Sequence, residues 1–329
     1  MKKVVISLFY ILSIFLSVSI TYADETQTKE ADISKPSDFN IFSPYFFEEE
    51  GIVFVSMSDI YPINSKKRII DRPEDDKYDK LRYPITGQYR KNFLANLNLR
   101  ETDKLYFHDY RMGRTISFPI KDLSIVARVN IYRDSLDHSP FDLSDYMIGF
   151  NIYWAKFKSH KISKYSSLIY IGSRNPFVAK KLKFLSWHQI AKNKFPKRTK
   201  QIDDAILDFE KGFDLTNKTI GNTYLSQANG YDYYLQDQLY DGKVYVRQLI
   251  VIDPKTQKRV LDTFYTNNEA SRLNTGEQKL PSKFKMGLSG KLFKNKPPVV
   301  FGFAYVIFGC DTIDVLSENY IPINCDNRH

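Results

Sequence analysis

The chain has 329 residues with 48 Lys and Arg against 38 Asp and Glu, a formal charge of +10, and 15% of it is aromatic. That length carries one large or two ordinary domains with a buried core, and an aromatic content dominated by Tyr and Phe favours strands over helices. Two cysteines, five histidines and no recognisable metal-ligand spacing leave no cofactor or structural metal to expect.

From the start of the chain, Lys2 and Lys3 precede an apolar and hydroxyl run over residues 4–20, then Thr21-Tyr22-Ala23 and Asp24-Glu25. Basic, apolar and small-residue segments in that order predict a signal peptide cleaved after Ala23 and a periplasmic or extracellular protein. Loss of Lys2 and Lys3 takes the charge from +10 to +8. No later segment has the length and apolarity of a membrane span, so no transmembrane segment is expected after cleavage. Residues 24–39 are polar, acidic and broken by Pro36, which predicts a flexible tail.

Folding is expected from residue 40, with a first strand over 51–58. The charged stretch 66–82 reads as a solvated loop. Its acids Asp71, Glu74, Asp75, Asp76 and Asp79 lack the glycine and terminal glutamate of a calcium loop. A meander is predicted from KLYFHDY and TISFPI on either side of Arg111-Met112-Gly113-Arg114, followed by LSIVARVNIYR and YMIGFNIYW. A second meander comprises YYLQDQLY and KVYVRQLIVID, joined at the hairpin pair Asp241-Gly242, with KRVLDTFY after the Asp253-Pro254 turn. Between the two, Ile202, Ile206, Phe209 and Phe213 recur at helical spacing and predict a helix over 199–213, the longest of the mature chain; a shorter one is read over 186–193. PVVFGFAYVIFGC, residues 298–310, reads as a central strand buried on both faces or as a pair split at a glycine. The expected class is a β-rich α+β fold, antiparallel meander sheets with one or two peripheral helices. The stretch 196–199 divides it into a β-rich domain over 40–198 and an α+β domain over 199–329, unless the whole is a single domain. Cys310 and Cys325, in a chain sent to an oxidising compartment, are expected to form a disulfide.

Catalytic signatures are absent: there is no GxSxG elbow, no HExxH, no phosphate loop and no dinucleotide fingerprint. Ser282-Lys283-Phe284-Lys285 fits SxxK but lacks its companion motifs. His108 and Asp109 are adjacent in a strand and so face opposite sides, which denies them a base-and-orienter role. The one acidic cluster with a histidine is Asp134, Asp137, His138, Asp142 and Asp145, a set able to supply an acid, a base or a metal site, although turn chemistry around Pro140 favours the same residue types.

The strongest departure from randomness is charge segregation. Residues 146–202 hold thirteen Lys or Arg and no Asp or Glu, and residues 278–310 hold six more lysines without an acid. Trp154, Lys156, Lys158, Lys180, Lys181, Lys183 and Trp187 mark the first stretch as a candidate basic, aromatic recognition face; the alternative is a solvated surface. Such a block suits an acidic protein or an anionic envelope component, and export argues against nucleic acid. The functional expectation is a non-enzymatic binding protein, one form being an inhibitor or immunity protein against a secreted toxin. A periplasmic hydrolase of anionic wall or lipid substrates, working through the loop 134–145, is the alternative.

Overall fold

The computed structural model describes residues 39–61, 80–130, 141, 143–157, 162–212 and 216–327. The expected leader and most of the tail, the acidic loop at 71–79, and Asp134, Asp137, His138, Asp142 and Lys158 lie outside the described residues. Residues 38–329 form one compact unit.

In chain order, β1 (Ile41–Phe42), β2 (Tyr45–Phe47), β3 (Ile52–Ser56) and β4 (Arg82–Ile85) lead to helix α1 (Gly87–Asn96). Then come β5 (Lys104–Asp109), β6 (Arg114–Pro119), β7 (Ser124–Val129), β8 (Tyr146–Tyr153), β9 (Ser167–Gly172) and β10 (Lys183–Ile190). After α2 (Lys200–Phe209) follow β11 (Lys218–Ala228), β12 (Tyr231–Tyr240), β13 (Lys243–Asp253) and β14 (Lys258–Thr266). The chain ends with β15 (Ser271–Leu273), β16 (Lys283–Gly290), β17 (Val299–Phe301), β18 (Ala304–Val306), β19 (Thr312–Val315) and β20 (Ile321–Asn324). The architecture is the expected β-rich α+β class. A thirteen-stranded sheet runs β14-β13-β12-β11-β10-β16-β17-β19-β20-β1-β9-β5-β6, beside a five-stranded sheet β2-β3-β8-β7-β4 and the pair β15-β18. The large sheet is unbroken at position 198, because β10 pairs with both β11 and β16.

The second meander forms as its sequence dictates. Tyr240 pairs with Lys243 around Asp241 and Gly242, whose φ angles of 48° and 78° are those of a tight hairpin turn. Asn229-Gly230 makes the same turn between β11 and β12. Across the β12–β13 ladder, Asp237 lies directly opposite Arg247, and the two form a fully enclosed ion pair at 2.7 Å. Shifting this ladder by one residue would part the two charges inside the protein, so the pair specifies register more than it adds stability. Helix α2 is capped by Thr199, whose hydroxyl accepts from the Ile202 amide and donates to Asp262. Just beyond its end, buried Glu210 accepts from Lys218 at 2.6 Å and from the Tyr245 hydroxyl at 2.5 Å, which ties the helix to the sheet.

Two expectations change and an open one is decided. Residues 186–190 are strand and not helix, with only a 3-10 turn at Lys192–Lys194: Leu185 and Trp187 are buried while Ser186 and His188 are exposed, the period of two of β10. Helix α1 was not legible in GQYRKNFLAN, which buries only Phe93 and Leu94, and its ten residues equal the ten of α2, which continues into the 3-10 turn Glu210–Gly212. Of the two readings of the apolar run at 298–310, the pair split at a glycine holds. Gly302, at φ 86°, separates β17 from β18, and Tyr305, Ile307 and Phe308 are exposed.

Glycine also makes room for the ring that anchors this bend. Phe303 packs on Gly287, where a Cβ would lie 2.4 Å from the Phe303 ring and the backbone has φ 71°. Gly276 has a similar φ of 59° with open space around it. Gly276→Ala is therefore expected to cost about 1 kcal/mol from the left-handed backbone alone, and Gly287→Ala about 3 kcal/mol because overpacking is added. Urea denaturation of both variants checks the difference; equal losses would show that Phe303 yields freely.

Candidate functional site

The site is built outward from a buried carboxylate. Asp109 ends β5 fully enclosed and accepts from the backbone amides of Arg111 and Met112, both at 3.0 Å, from the Ser163 amide at 2.9 Å and from the Ser166 hydroxyl at 2.8 Å. Four donors explain why an acid is tolerated there, and they fix the turn at Arg111-Met112-Gly113. Gly113, at φ 65°, lies against the Lys180–Lys181 backbone so closely that a Cβ would sit 2.6 Å from it, and the Leu182 amide donates to the Tyr110 carbonyl at 2.9 Å. The β5–β6 turn and the basic segment before β10 are thereby joined.

Tyr110 and Arg111 project from that junction into a cleft of ≈ 620 Å³ that β17, β18, β19 and the Ser43-Pro44 turn complete. Its lining is aromatic: Tyr110, Tyr165, Phe184, Phe264, Tyr265, Phe301, Phe303 and Tyr305, with hydroxyls from Ser43, Ser167, Thr266, Ser271 and Thr312 between them. Tyr110 meets Phe301 edge to face at 5.2 Å, Tyr265 stacks on Phe303 at 5.1 Å, and the Arg111 guanidinium lies 5.4 Å from the centre of the Phe184 ring.

Two acids also line the cleft. Asp314 accepts from the Tyr265 hydroxyl at 2.9 Å and Asp311 from the Val306 amide at 3.3 Å. Both line the cleft, Asp314 half-buried and Asp311 on its exposed side, with neighbouring protein displacing part of the water around each carboxyl. Burial accordingly raises both carboxyls above the usual aspartate range, against the pull of those hydrogen bonds. Burial also pushes the Tyr110 phenol up to about 12, with Asp109 and Asp311 reinforcing the shift and Arg111 opposing it. Tyr265 is held protonated by burial and by Asp314. Phenols that stay protonated are hydrogen-bond donors at every physiological pH.

The residues singled out from sequence are distributed unevenly about this site. Lys180, Lys181 and Lys183 are exposed beside Arg111 and Phe184. Lys192, Lys194 and Lys197 are exposed beyond the other end of β10, about 26 Å away by strand rise, so the acid-free stretch does not form one face. Lys156 is exposed near the Asp122 carbonyl. Trp154 is half-buried between Phe46 and Phe157. Trp187 is core and not surface: it is 2% exposed, donates from Nε1 to the Met286 carbonyl at 2.8 Å and packs on Phe284 and Phe303. Of the acidic loop only Asp145 is described, with its carbonyl accepting from the Asn130 amide. Among the described residues no group of three or more His, Cys, Asp or Glu is placed to hold a metal ion. Cys310 and Cys325 form the expected disulfide, with a Cα–Cα distance of 5.6 Å, and Cys310 lies on the cleft wall.

Arg111, Tyr110, Asp311, Asp314 and Tyr305 were missed because they come from separate segments that each have an ordinary structural reading. The one available signal was the aromatic surplus of residues 298–310, more apolar surface than a three-residue strand can bury. No protein-family model, no curated protein and no solved structure matches the chain.

The neighbouring histidine has a structural role. His108 is buried, bonded through Nδ1 to the Thr115 hydroxyl at 2.8 Å and stacked on Phe177 at 4.5 Å, and burial lowers it to about 4. Below pH 6.5 the unfolded chain takes up a proton that the folded chain refuses until about pH 4, so this contribution is complete above 6.5 and is lost as pH falls toward 4. Between pH 7 and pH 4 the native protein is expected to lose about 3 kcal/mol more than His108→Gln. Urea titrations at the two pH values test this, and equal losses would mean that the imidazole is protonated in the fold.

Proposed function

We propose that the chain is an exported binding protein, acting in the periplasm or outside the cell without catalysis of its own, and that Arg111, Lys180, Lys181 and Lys183, with Phe184 and Tyr165, receive an acidic protein partner. An inhibitor or immunity protein that occludes a secreted toxin is one form of this, since occlusion needs complementarity and no reacting group. The observation that carries the reading is exposed rings beside cations that have no counter-charge. Among the described residues none of these four cations makes an ion pair, in contrast to Lys243 with Glu277 and Lys296 with Glu318. Unlike the equally unpaired Lys192, Lys194 and Lys197, these four stand beside Phe184 and Tyr165. Beside them Tyr165 is 82% and Phe184 47% exposed. Exposed rings next to unpaired cations are the composition of a recognition surface, whereas a face that serves only solubility gains nothing from exposing phenyl groups.

The hydrolase alternative has no comparable support, since all but one of its residues lie outside the described chain. An anionic envelope component remains the other partner of matching charge, and the test separates it from an acidic protein. Polyglutamate serves as the acidic polypeptide and phosphatidylglycerol vesicles as the anionic membrane, both in about 50 mM salt, where screening is moderate. Changing Lys180, Lys181 and Lys183 together to Glu is expected to slow polyglutamate association about tenfold, with the melting temperature unchanged because exposed lysines contribute little to folding. The same reversal at Lys192, Lys194 and Lys197 is expected to have little effect. Equal slowing by both triple variants would reduce the interaction to net charge and overturn the assignment of a site, and binding to vesicles alone would replace the protein partner by the membrane.

A further inference from the structure

The wall of the cleft formed by β18 and β19 has the opposite charge to the wall that carries Arg111. There, Asp311 and Asp314 make no ion pair among the described residues, in a chain with ten surplus positive charges. Along this wall a bound anion would meet two carboxyls and the electron-rich faces of rings, and only Arg111, already resting on Phe184, and the Tyr110 hydroxyl would attract it. An uncharged apolar ligand would strip water from the carboxyls and return nothing. A cation gains from both features at once: ring quadrupoles and carboxylates attract it, and the partial burial of Asp314 strengthens the attraction. One ring of the lining already holds a positive group in this way, since the protein's own Arg111 guanidinium rests 5.4 Å from the centre of Phe184. Tyr305, 50% exposed at the opposite wall, has no such partner ring contact and faces solvent with its aromatic surface available.

We infer that the cleft between the Tyr110-Arg111 turn and β18–β19 is a binding site for a small organic ammonium ion, with the rings as its walls and Asp311 and Asp314 as its counter-charges. The volume of ≈ 620 Å³ is that of a small-molecule site, and the hydroxyls of Ser43, Thr266 and Ser271 provide acceptors for whatever polar tail the ammonium carries. This goes beyond the acidic partner of the basic wall and does not depend on it.

Calorimetric titration of the full chain with choline, with ethanolamine and with the neutral tert-butyl analogue of choline tests the inference. Choline is expected to bind roughly tenfold more tightly than its neutral analogue, and the difference should vanish when Asp311→Asn and Asp314→Asn are combined. Ethanolamine binding above choline would identify a primary ammonium and still support the site. Equal affinity for choline and its neutral analogue would overturn it, as would binding of a neutral oligosaccharide in place of either amine. Should the double Asn variant fail to fold, Tyr305→Ala, at an exposed ring, is expected to weaken choline at least threefold, and an unchanged affinity there would equally contradict the site.

Discussion

The two-residue strand β1 holds the molecule together. Ile41 and Phe42 are buried between β20, to which they run parallel, and β9, to which they run antiparallel, so among the described residues they are the ladder link between β9-β5-β6 and the rest of the thirteen-stranded sheet. Ile41 packs into the core around Val299, Val315 and Phe293, and Phe42 into the separate core under the five-stranded sheet. Polar contacts reinforce the joint: Ser43 donates to the Asn324 carbonyl at 2.9 Å, Ser56 to the Asp326 carboxylate at 2.6 Å, and the Asp326 amide to Asp59 at 2.8 Å, while the Tyr45 hydroxyl reaches the Cys325 and Asp326 carbonyls. Because these groups come from distant parts of the chain, the loop-closure cost of bringing them together is large, and the Cys310–Cys325 bridge reduces it by fixing the second participant beforehand. Closing that 15-residue loop contributes about 3 kcal/mol in the chain-entropy account.

The cleft is a by-product of this closure. Ser43 and Pro44 follow β1 directly, Ile323 lies in β20, and Cys310, Asp311 and Thr312 leave the disulfide, so one wall consists of the joint itself. The opposite wall depends on Asp109, whose four hydrogen bonds hold the Arg111 turn against the segment carrying Lys180 and Lys181. Two polar devices, far apart in sequence, therefore place a basic wall across the cleft from an acidic, aromatic one. That separation of charge over a short distance is the main electrostatic feature of the site, and net charge conceals it.

Local patterns were legible where one segment decides its own structure. The Asp241-Gly242 turn needs only the φ > 0 tolerance of those two residues, α2 needs its apolar stripe and the Thr199 cap, and the disulfide needs two cysteines in an oxidising setting. Patterns failed where tertiary context decides. Trp187 sits among lysines in sequence, and only the alternation of β10 turns it into the core while its neighbours stay outside. The acid-free stretch is continuous along the chain but is divided in space by the length of that same strand. Helix α1 buries two residues and owes its existence to the sheet beneath it. The cleft was illegible for a related reason: Asp311 and Asp314 are unremarkable in a list of acids, and only folding shows that no cation was placed beside them.

Hydrogen exchange in the oxidised and the reduced protein tests most directly whether chain-end closure holds the cleft. If β1 is the joint, reducing Cys310–Cys325 will release β19 and β20 and, with them, β1, the facing strand β9 and the cleft wall around β18, while the meander β11–β14 keeps its protection. Faster exchange confined to residues 310–325, with β1 and β9 unchanged, would contradict it.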